Sequence, residues 1–365
     1  MSLRYCLPRV RTRGHGLGNE LIPWARAFLA AQVLNAKLLP PAFGLNRRGY
    51  WRHFQTAPDD WIYNRALEYL LPVIRFSESD YLAHGGGDAF SALSNFAASH
   101  RLQERSAYVL VTEGDFGGYQ HIEAAREFIR STLYQSRYAP QNLLRLRQRI
   151  DPRKILVGMH VRLGDFSAPR ALADYRCAPN MSLPIEWFCN IARSLDSALG
   201  ETWQLLLVSD GSPAQLQQLT DEWPCIITAD LAPGDCSDAL ALASADLLVC
   251  SASSYSVLAA FLSDSPYLWF APNLYSHAEG CYSLGDYAAH RERPEHPTRA
   301  ALQQFISSPP RALPRGVAVD ADGLIPAPVI DAVVERHCSR RWESDLVRLG
   351  VAASINPAAR YSLRA

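Results

Sequence analysis

The chain has 365 residues, 48% of them apolar, and its 36 Lys and Arg are balanced by 36 Asp and Glu. That length exceeds one ordinary core and asks for two domains of comparable size. Zero net charge offers no field to a polyanion or an anionic membrane, which argues against nucleic acid as the main partner.

The pattern opens with a short strand around residues 4–11 and the loop Gly14-His15-Gly16-Leu17-Gly18-Asn19. A helix is expected from Glu20 to Asn35, because Leu21, Ala25, Phe28, Leu29 and Gln32 share one face. Pro40-Pro41 ends the short segment after that helix, and Gly85-Gly86-Gly87 marks a loop. Between residues 45 and 150 the periodicity is too weak to assign elements.

From Asp151 the signal sharpens. Apolar runs at 155–162, 204–209, 225–228, 246–251 and 267–271 read as buried parallel strands. Ser212-Pro213-Ala214-Gln215 supplies an N-cap serine, a first-turn proline and a capping-box glutamine. This alternation predicts an α/β doubly wound sheet. The stretch Ala239–Leu262 is apolar, but Asp246 interrupts it, so it reads as helix, strand and helix instead of a membrane span. After Pro294 come Ser308-Pro309-Pro310 and Pro314, then a helix-like stretch from Val329 to Leu349.

The 8 cysteines stand singly at 6, 177, 189, 225, 236, 250, 281 and 338, without a Cys-x-x-Cys pair, which suits reduced thiols in a cytoplasmic protein. None of the 10 histidines lies at ligand spacing from a cysteine pair, so no structural zinc is expected. Residues Met1–Tyr5 show no basic leader before an apolar run. No internal repeat, phosphate-binding P-loop or Gly-x-Ser-x-Gly elbow occurs. Asp320-Ala321-Asp322-Gly323 reads as a turn before it reads as a metal site.

Three segments could carry chemistry. In the strand ending His160-Val161-Arg162, alternation puts His160 and Arg162 on one face, at the end where open α/β sheets carry their ligand crevice. Arg162 could fork onto diphosphate oxygens. The alternative is an Arg162–Asp165 ion pair at the surface with His160 satisfied in a loop. Cys250-Ser251-Ala252-Ser253-Ser254-Tyr255-Ser256 leads from a strand into a helix, whose unpaired N–H groups could bind an anion or whose serines could serve as caps only. Gly16-Leu17-Gly18-Asn19 could let a ligand approach the backbone or could be a tight turn; its spacing is not that of a dinucleotide fingerprint.

In order, these segments resemble the motifs of the bacterial alpha-1,2-fucosyltransferases and their nodulation, core-glycan and protein O-fucosyltransferase relatives. Gly16-Leu17-Gly18-Asn19-Glu20-Leu21 is similar to that family's G-L-G-N-Q-L, and His160-Val161-Arg162-Leu163-Gly164-Asp165-Phe166 to its H-V-R-R-G-D-Y. Ser209-Asp210 is similar to F-S-D, Asp238 falls at an acidic motif position, and 252–260 corresponds to N-S-S-F-S-W-W-A-A. The sequence departs from these at Glu20, Leu163, Ala252, Val257 and Leu258.

The resemblance implies the two-domain GT-B fold, with facing Rossmann-like halves. The first half, 1–150, would lie on the acceptor side; 151–295 would bind the nucleotide sugar; 296–365 would be a tail, partly helical, packing on both. It implies inverting, metal-independent transfer of fucose from GDP-fucose to a glycan or other hydroxyl acceptor, without a further cofactor. Arg162 would hold the diphosphate with His160, Asp165, Ser209 and the helix start at Ser253, Ser254, Tyr255 and Ser256. Gly16, Gly18 and Asn19 would face the donor, Asp210 and Asp238 would recognise guanine, and His15 and Glu20 are the candidates for a general base. The location implied is cytoplasmic, peripheral to the inner membrane at most. Two alternatives remain: transfer of another nucleotide sugar, and a non-catalytic nucleotide- or glycan-binding protein on a decayed transferase fold.

Overall fold

A computed structural model describes residues 3–9, 15–43, 47–54, 58–85, 88–116, 118–167, 171–175, 181–231, 233–274 and 316–339. Two units emerge, and among the described residues they divide between Arg137 and Tyr138.

In the first unit, strands β1 (Leu3–Arg9), β2 (Lys37–Leu38), β3 (Val73–Phe76) and β4 (Ala107–Glu113) form a parallel sheet in the order β2-β1-β4-β3. Helix α1 (Leu17–Leu34) begins three residues before its expected start. The Gly16 carbonyl accepts the N–H groups of Asn19 at 2.9 Å and Glu20 at 3.2 Å, closing a first turn that side-chain periodicity cannot reveal. Leu21, Ala25 and Leu29 are buried as expected, while Gln32 is exposed. The helix packs on β1, β4 and a later helix, so it buries more than one face. It ends at Asn35, whose φ of 45° is one that asparagine tolerates better than most residues.

The stretch that periodicity left unassigned is a series of helices of 4 to 13 residues. They are α2 (Trp51–Phe54), α3 (Pro58–Leu70), α4 (Glu78–Ala83), α5 (Ala89–Ser99) and α6 (Arg126–Tyr134), with β3 and β4 between them. Side chains mark two of the starts: the Ser77 N–H donates to Asp80 at 2.9 Å, and Asp88 accepts the Ser91 N–H at 2.8 Å. Helix α7 (Ala139–Arg147) belongs to the second unit.

The five apolar runs of the second half are the strands β5 (Ile155–Val161), β6 (Trp203–Ser209), β7 (Cys225–Ile227), β8 (Leu247–Val249) and β9 (Tyr267–Phe270). A sixth, β10 (Gly316–Val319), comes from the segment expected to be a tail. All pair in parallel, in the order β10-β9-β8-β5-β6-β7. The chain therefore winds one way from β5 to β7 and the other way from β8 to β10. The direction reverses between β5 and β8, and a ligand crevice is expected at the carboxyl ends of those two strands.

Helices α8 (Ile185–Leu199), α9 (Pro213–Glu222), α10 (Asp235–Ala243), α11 (Ser254–Leu262), α12 (Ala271–Leu274) and α13 (Ala327–Ser339) connect or cover the strands. Gln215 accepts the Ser212 N–H at 2.9 Å, as the capping-box reading requires. The Ala239–Leu262 stretch is indeed helix, strand and helix, and no described helix is long and apolar enough to cross a membrane. Asp246 is fully buried but accepts the Leu156 N–H at 2.9 Å and contacts His337 at 3.1 Å, so this acidic break in the apolar run fastens α13 to the sheet. The residues 320–323 form a turn closed by a 3.0 Å bond from the Gly323 N–H to the Asp320 carbonyl. Gly323 has φ of 72°, and a Cβ there would lie 2.5 Å from that of Asn190, so both conformation and space demand glycine. The tail helix is described only to Ser339; its expected extension to Leu349 lies outside the described residues.

Candidate functional site

The carboxyl ends of β5, β6 and β8 bring together residues far apart in sequence. Ser251, just beyond β8, donates its hydroxyl to the His160 carbonyl at 2.6 Å and accepts the Arg162 N–H at 2.9 Å. It thereby continues the β5–β8 pairing past the last strand bond. Ser209 acts similarly from β6, donating to the Val161 carbonyl at 2.6 Å and accepting the Gly211 N–H at 3.0 Å. The backbone bearing Arg162 is thus held from both sides by hydroxyls.

Of the two groups that strand alternation puts on one face, His160 adds no positive charge. Strand β5 ends at Val161, and Arg162 lies in the loop just beyond it. His160 is 5% exposed, its Nδ1 is 2.7 Å from the Ser256 hydroxyl, and its ring lies 5.1 Å from that of Tyr255. Burial, with Arg162 adding to it, pushes its pKa down to about 3, so the imidazole is neutral and anchors the first turn of α11.

Arg162 is paired with Asp165, the alternative that spacing alone had raised, but also with Asp210 beyond β6. Its guanidinium lies 4.9 Å from the centre of the Phe166 ring. Asp210 also accepts the Leu163 N–H at 2.8 Å and the Gly164 N–H at 3.1 Å. A Cβ at position 164 would lie 2.1 Å from Asp210 Oδ2, so glycine is what lets the carboxylate sit against the loop. The sequence reading paired Asp210 with Asp238; the structure fastens Asp210 to the Arg162 loop.

Helix α11 starts beside this loop. Ser253 is its N-cap, accepting the Tyr255 N–H at 3.3 Å, and Ser254 is its first residue. Capping and anion binding are compatible here, because one side-chain bond satisfies one of the unpaired N–H groups and leaves others. The Tyr255 hydroxyl donates to the Asp235 carbonyl, tying α11 to the start of α10. Asp238, in the first turn of α10, is half-buried and hydrogen-bonded to Thr228 beyond β7. Burial raises its pKa to about 8 against that hydrogen bond, with Asp235 and Asp230 adding to the rise. Ser251, Thr228 and Gly164 were not among the candidate residues. The signal available for Ser251 was its position directly after a buried strand, inside the serine-rich segment.

The remaining candidates lie in the first unit. Gly16 precedes α1 with extended backbone, and a Cβ there would meet no atom of the described residues within 4 Å. Gly18 is buried inside α1 and its carbonyl accepts the Tyr119 hydroxyl. Asn19 and His15 are half-buried, whereas Glu20 is 2% exposed. Sequence reasoning missed Arg26, which α1 buries at 1% exposure. It stacks 3.6 Å from the centre of Phe116 and donates to the Phe116 carbonyl and, at 3.3 Å, to that of Glu113. Burial lowers its pKa to about 9. Among the described residues, no group of three or more His, Cys, Asp or Glu is arranged to hold a metal ion.

No family model matches the sequence, and no curated protein matches it. Several solved structures are similar. The fucosyltransferase NodZ from Bradyrhizobium shares 15% identity at a TM-score of 0.43, over 72% of this chain and 94% of that one. NodZ alpha-1,6-fucosyltransferase soaked with GDP-fucose shares 14% at 0.41, over 72% and 93%. POFUT1 in complex with GDP-fucose shares 11% at 0.40, over 73% and 96%.

Proposed function

We propose that this chain is a glycosyltransferase that binds a nucleotide-diphosphate sugar, GDP-fucose by motif resemblance, at the carboxyl ends of β5 and β8 and transfers the sugar to a hydroxyl acceptor. The observation that carries the reading is the convergence of Arg162 and the N-terminus of α11 at the reversal point of the second sheet, held together by Ser251. A forked guanidinium and unpaired helix N–H groups are the two protein elements best suited to a diphosphate. The ordered motifs add the nucleotide-sugar class to that chemistry.

In this reading Arg162 and α11 stabilise the negative charge that accumulates on the departing diphosphate as the bond to the anomeric carbon breaks. Their positive ends support a metal-independent reaction. His160 remains neutral and positions Ser256 and the helix start instead of adding charge. Asp238 is the residue assigned to the base, since its carboxylate can accept both the N1–H and the exocyclic amine of guanine. His15 and Glu20 remain the candidates for the general base.

Thermal shift with GDP, UDP, CMP and ADP tests the binding half. A ligand at about a hundredfold over its Kd stabilises the native state by about 2.7 kcal/mol, and the largest shift is expected with GDP. Equal shifts would leave a site without base choice, and a larger shift with UDP would reassign the donor. Release of free GDP from GDP-fucose in the presence of a glycan panel tests catalysis against the binding-protein alternative.

A further inference from the structure

Helix α3 meets the first unit's core with only part of its surface. Leu67, and Leu71 just past the helix end, pack on the cluster of Leu7, Leu39, Val109 and Val111, while Asn64 donates to the Pro40 carbonyl at 3.1 Å. The remainder of the helix faces water although it is largely apolar. At about 3.6 residues per turn, Ile62, Ala66, Tyr69 and Leu70 fall on one arc, with Trp61 and Tyr63 at its two sides. Tyr69 is 90% exposed, Leu70 72% and Ile62 59%, and Trp61 and Tyr63 are each more than two-fifths exposed. At about 150–250 Å² for each large side chain, these five leave about 600–700 Å² of surface in water. Single exposed apolar residues call for no explanation, but a continuous face at the top of the roughly 300–600 Å² range of a monomer's largest patch marks an interaction surface. It also supplies most of the about 800 Å² that each partner contributes to a standard protein interface.

We infer that this face is covered by a second copy of the chain, whose own α3 packs against it about a two-fold axis. Ile62, Ala66 and Leu70 stand four apart and make the kind of ridge that interdigitates with its like on a facing helix, and the small Ala66 leaves room for a side chain of the partner. The one charged side chain on the arc, Arg65, is already paired with Glu68 at 3.4 Å and lies 5.9 Å from the centre of the Trp61 ring. A two-fold contact therefore brings no uncompensated like charges together at its centre. The two helices run antiparallel in such a contact, so the acidic first turns, with Asp59 and Asp60, lie at opposite ends. Two copies also carry no net charge to repel each other, with 36 basic and 36 acidic residues in each. A bilayer is a poorer occupant, because helices that lie in its interface are rich in Lys and Arg, whereas α3 has Asp59, Asp60 and Glu68 against Arg65 alone. Dimerisation through α3 is independent of what binds at β5 and β8.

Sedimentation equilibrium of the full chain tests this with wild type, Tyr69→Glu, Leu70→Glu and, as a control on α7, Leu144→Glu, which is also an exposed position. Wild type is expected to be a dimer with a dissociation constant at or below about micromolar, the weak end for an interface of this size. Tyr69→Glu and Leu70→Glu each put a charge into the contact twice over and should raise that constant roughly thirtyfold or more. Leu144→Glu should leave it unchanged. Substitutions at such exposed positions spare the monomer's fold, which circular dichroism checks. Hydroxyl-radical labelling of wild type needs no variant: dilution through the dissociation constant should increase labelling of Tyr69 and Leu70 and leave that of Leu144 constant. A wild type that stays monomeric at about 100 μM overturns the inference. So does a dimer that Tyr69→Glu and Leu70→Glu leave intact, an equal loss in Leu144→Glu, or labelling of Tyr69 that ignores dilution. Flotation of monomeric wild type with phosphatidylglycerol vesicles, lost in Tyr69→Glu, would give the face to a bilayer and likewise overturn the dimer.

Discussion

Truncating Arg162 to alanine should raise the Kd for GDP roughly tenfold or more while the fold persists. A charge-assisted hydrogen bond contributes about 1.5–3 kcal/mol. The missing contact alone therefore accounts for about ten- to a hundredfold in Kd. The loss grows because Asp165 and Asp210, both paired with Arg162 in the wild type, would face the diphosphate without their counter-ion. Arg162→Lys keeps the charge but cannot bridge two groups as a planar fork, so it should fall between wild type and alanine. Calorimetric titration with GDP reads the affinity, and circular dichroism checks the fold. A Kd within twofold of wild type for a folded Arg162→Ala protein would remove Arg162 from the binding site and with it the central premise.

Gly164→Ala places a Cβ 2.1 Å from Asp210 Oδ2, so the carboxylate or the exposed loop has to shift; a hydrogen bond lost in that shift costs about 0.5–1.5 kcal/mol, and GDP affinity should fall with the melting temperature. If both stay at wild-type values, the contact between Asp210 and the loop is not as described. Turnover of GDP-fucose should survive chelation, whereas loss with EDTA and recovery with magnesium or manganese would refute metal independence. The pH dependence of stability should show two opposed contributions. His160, lowered from 6.5 to about 3, binds fewer protons folded than unfolded, so its contribution is complete above pH 6.5 and is lost as pH falls through that window. Asp238, raised from 3.8 to about 8, binds more protons folded, so its contribution is complete below pH 3.8 and is lost as pH rises. Denaturant titrations of Asp238→Asn between pH 3.8 and 6.5 should show stability rising with pH. A flat or falling profile would mean that His160 is not held neutral by the fold.

The fold is legible in the sequence wherever local pattern and tertiary structure agree. Strand β5 is buried along all seven residues and β8 along all three, so the one is an apolar run broken only by His160 and the other is apolar throughout. The start of α9 was legible because Ser212, Pro213 and Gln215 act within one turn. Elements such as α2, of four residues, and β10, also of four, carry too little sequence to set a period, and β10 is defined by its pairing with β9 across a distant stretch of chain. Within the site, Arg162 and the serine segment were visible as residue types at strand ends. The bridge through Ser251 and the hold of Asp210 on Gly164 were not, because each joins two strands whose neighbourhood depends on the whole sheet order. The neutrality of His160 was likewise hidden, since burial is the larger cause and Arg162 only adds to it.

Asp238 carries the last expectation. Guanine offers its N1–H and exocyclic amine as donors, and a side chain that receives each on its own oxygen is an ionised carboxylate. Yet burial, strengthened by Asp235 and Asp230, raises Asp238 to about 8, so near neutrality the carboxyl is mostly protonated before the nucleotide arrives. If Asp238 receives the base, binding has to expel that proton. Below its pKa the affinity for GDP should then rise about tenfold per pH unit, since one pKa unit corresponds to about 1.4 kcal/mol, and it should level off above about 8. Calorimetry at pH 7 in buffers of different ionisation enthalpy should find close to one proton released per GDP bound. The diphosphate itself titrates in part of this range, but UDP carries the same group, so the ratio of GDP to UDP affinity isolates the contribution of the base. Asp238→Asn should flatten that ratio across pH and abolish the proton release. A ratio independent of pH in the wild-type protein would mean that the base is recognised elsewhere, even if Arg162 proves to hold the diphosphate.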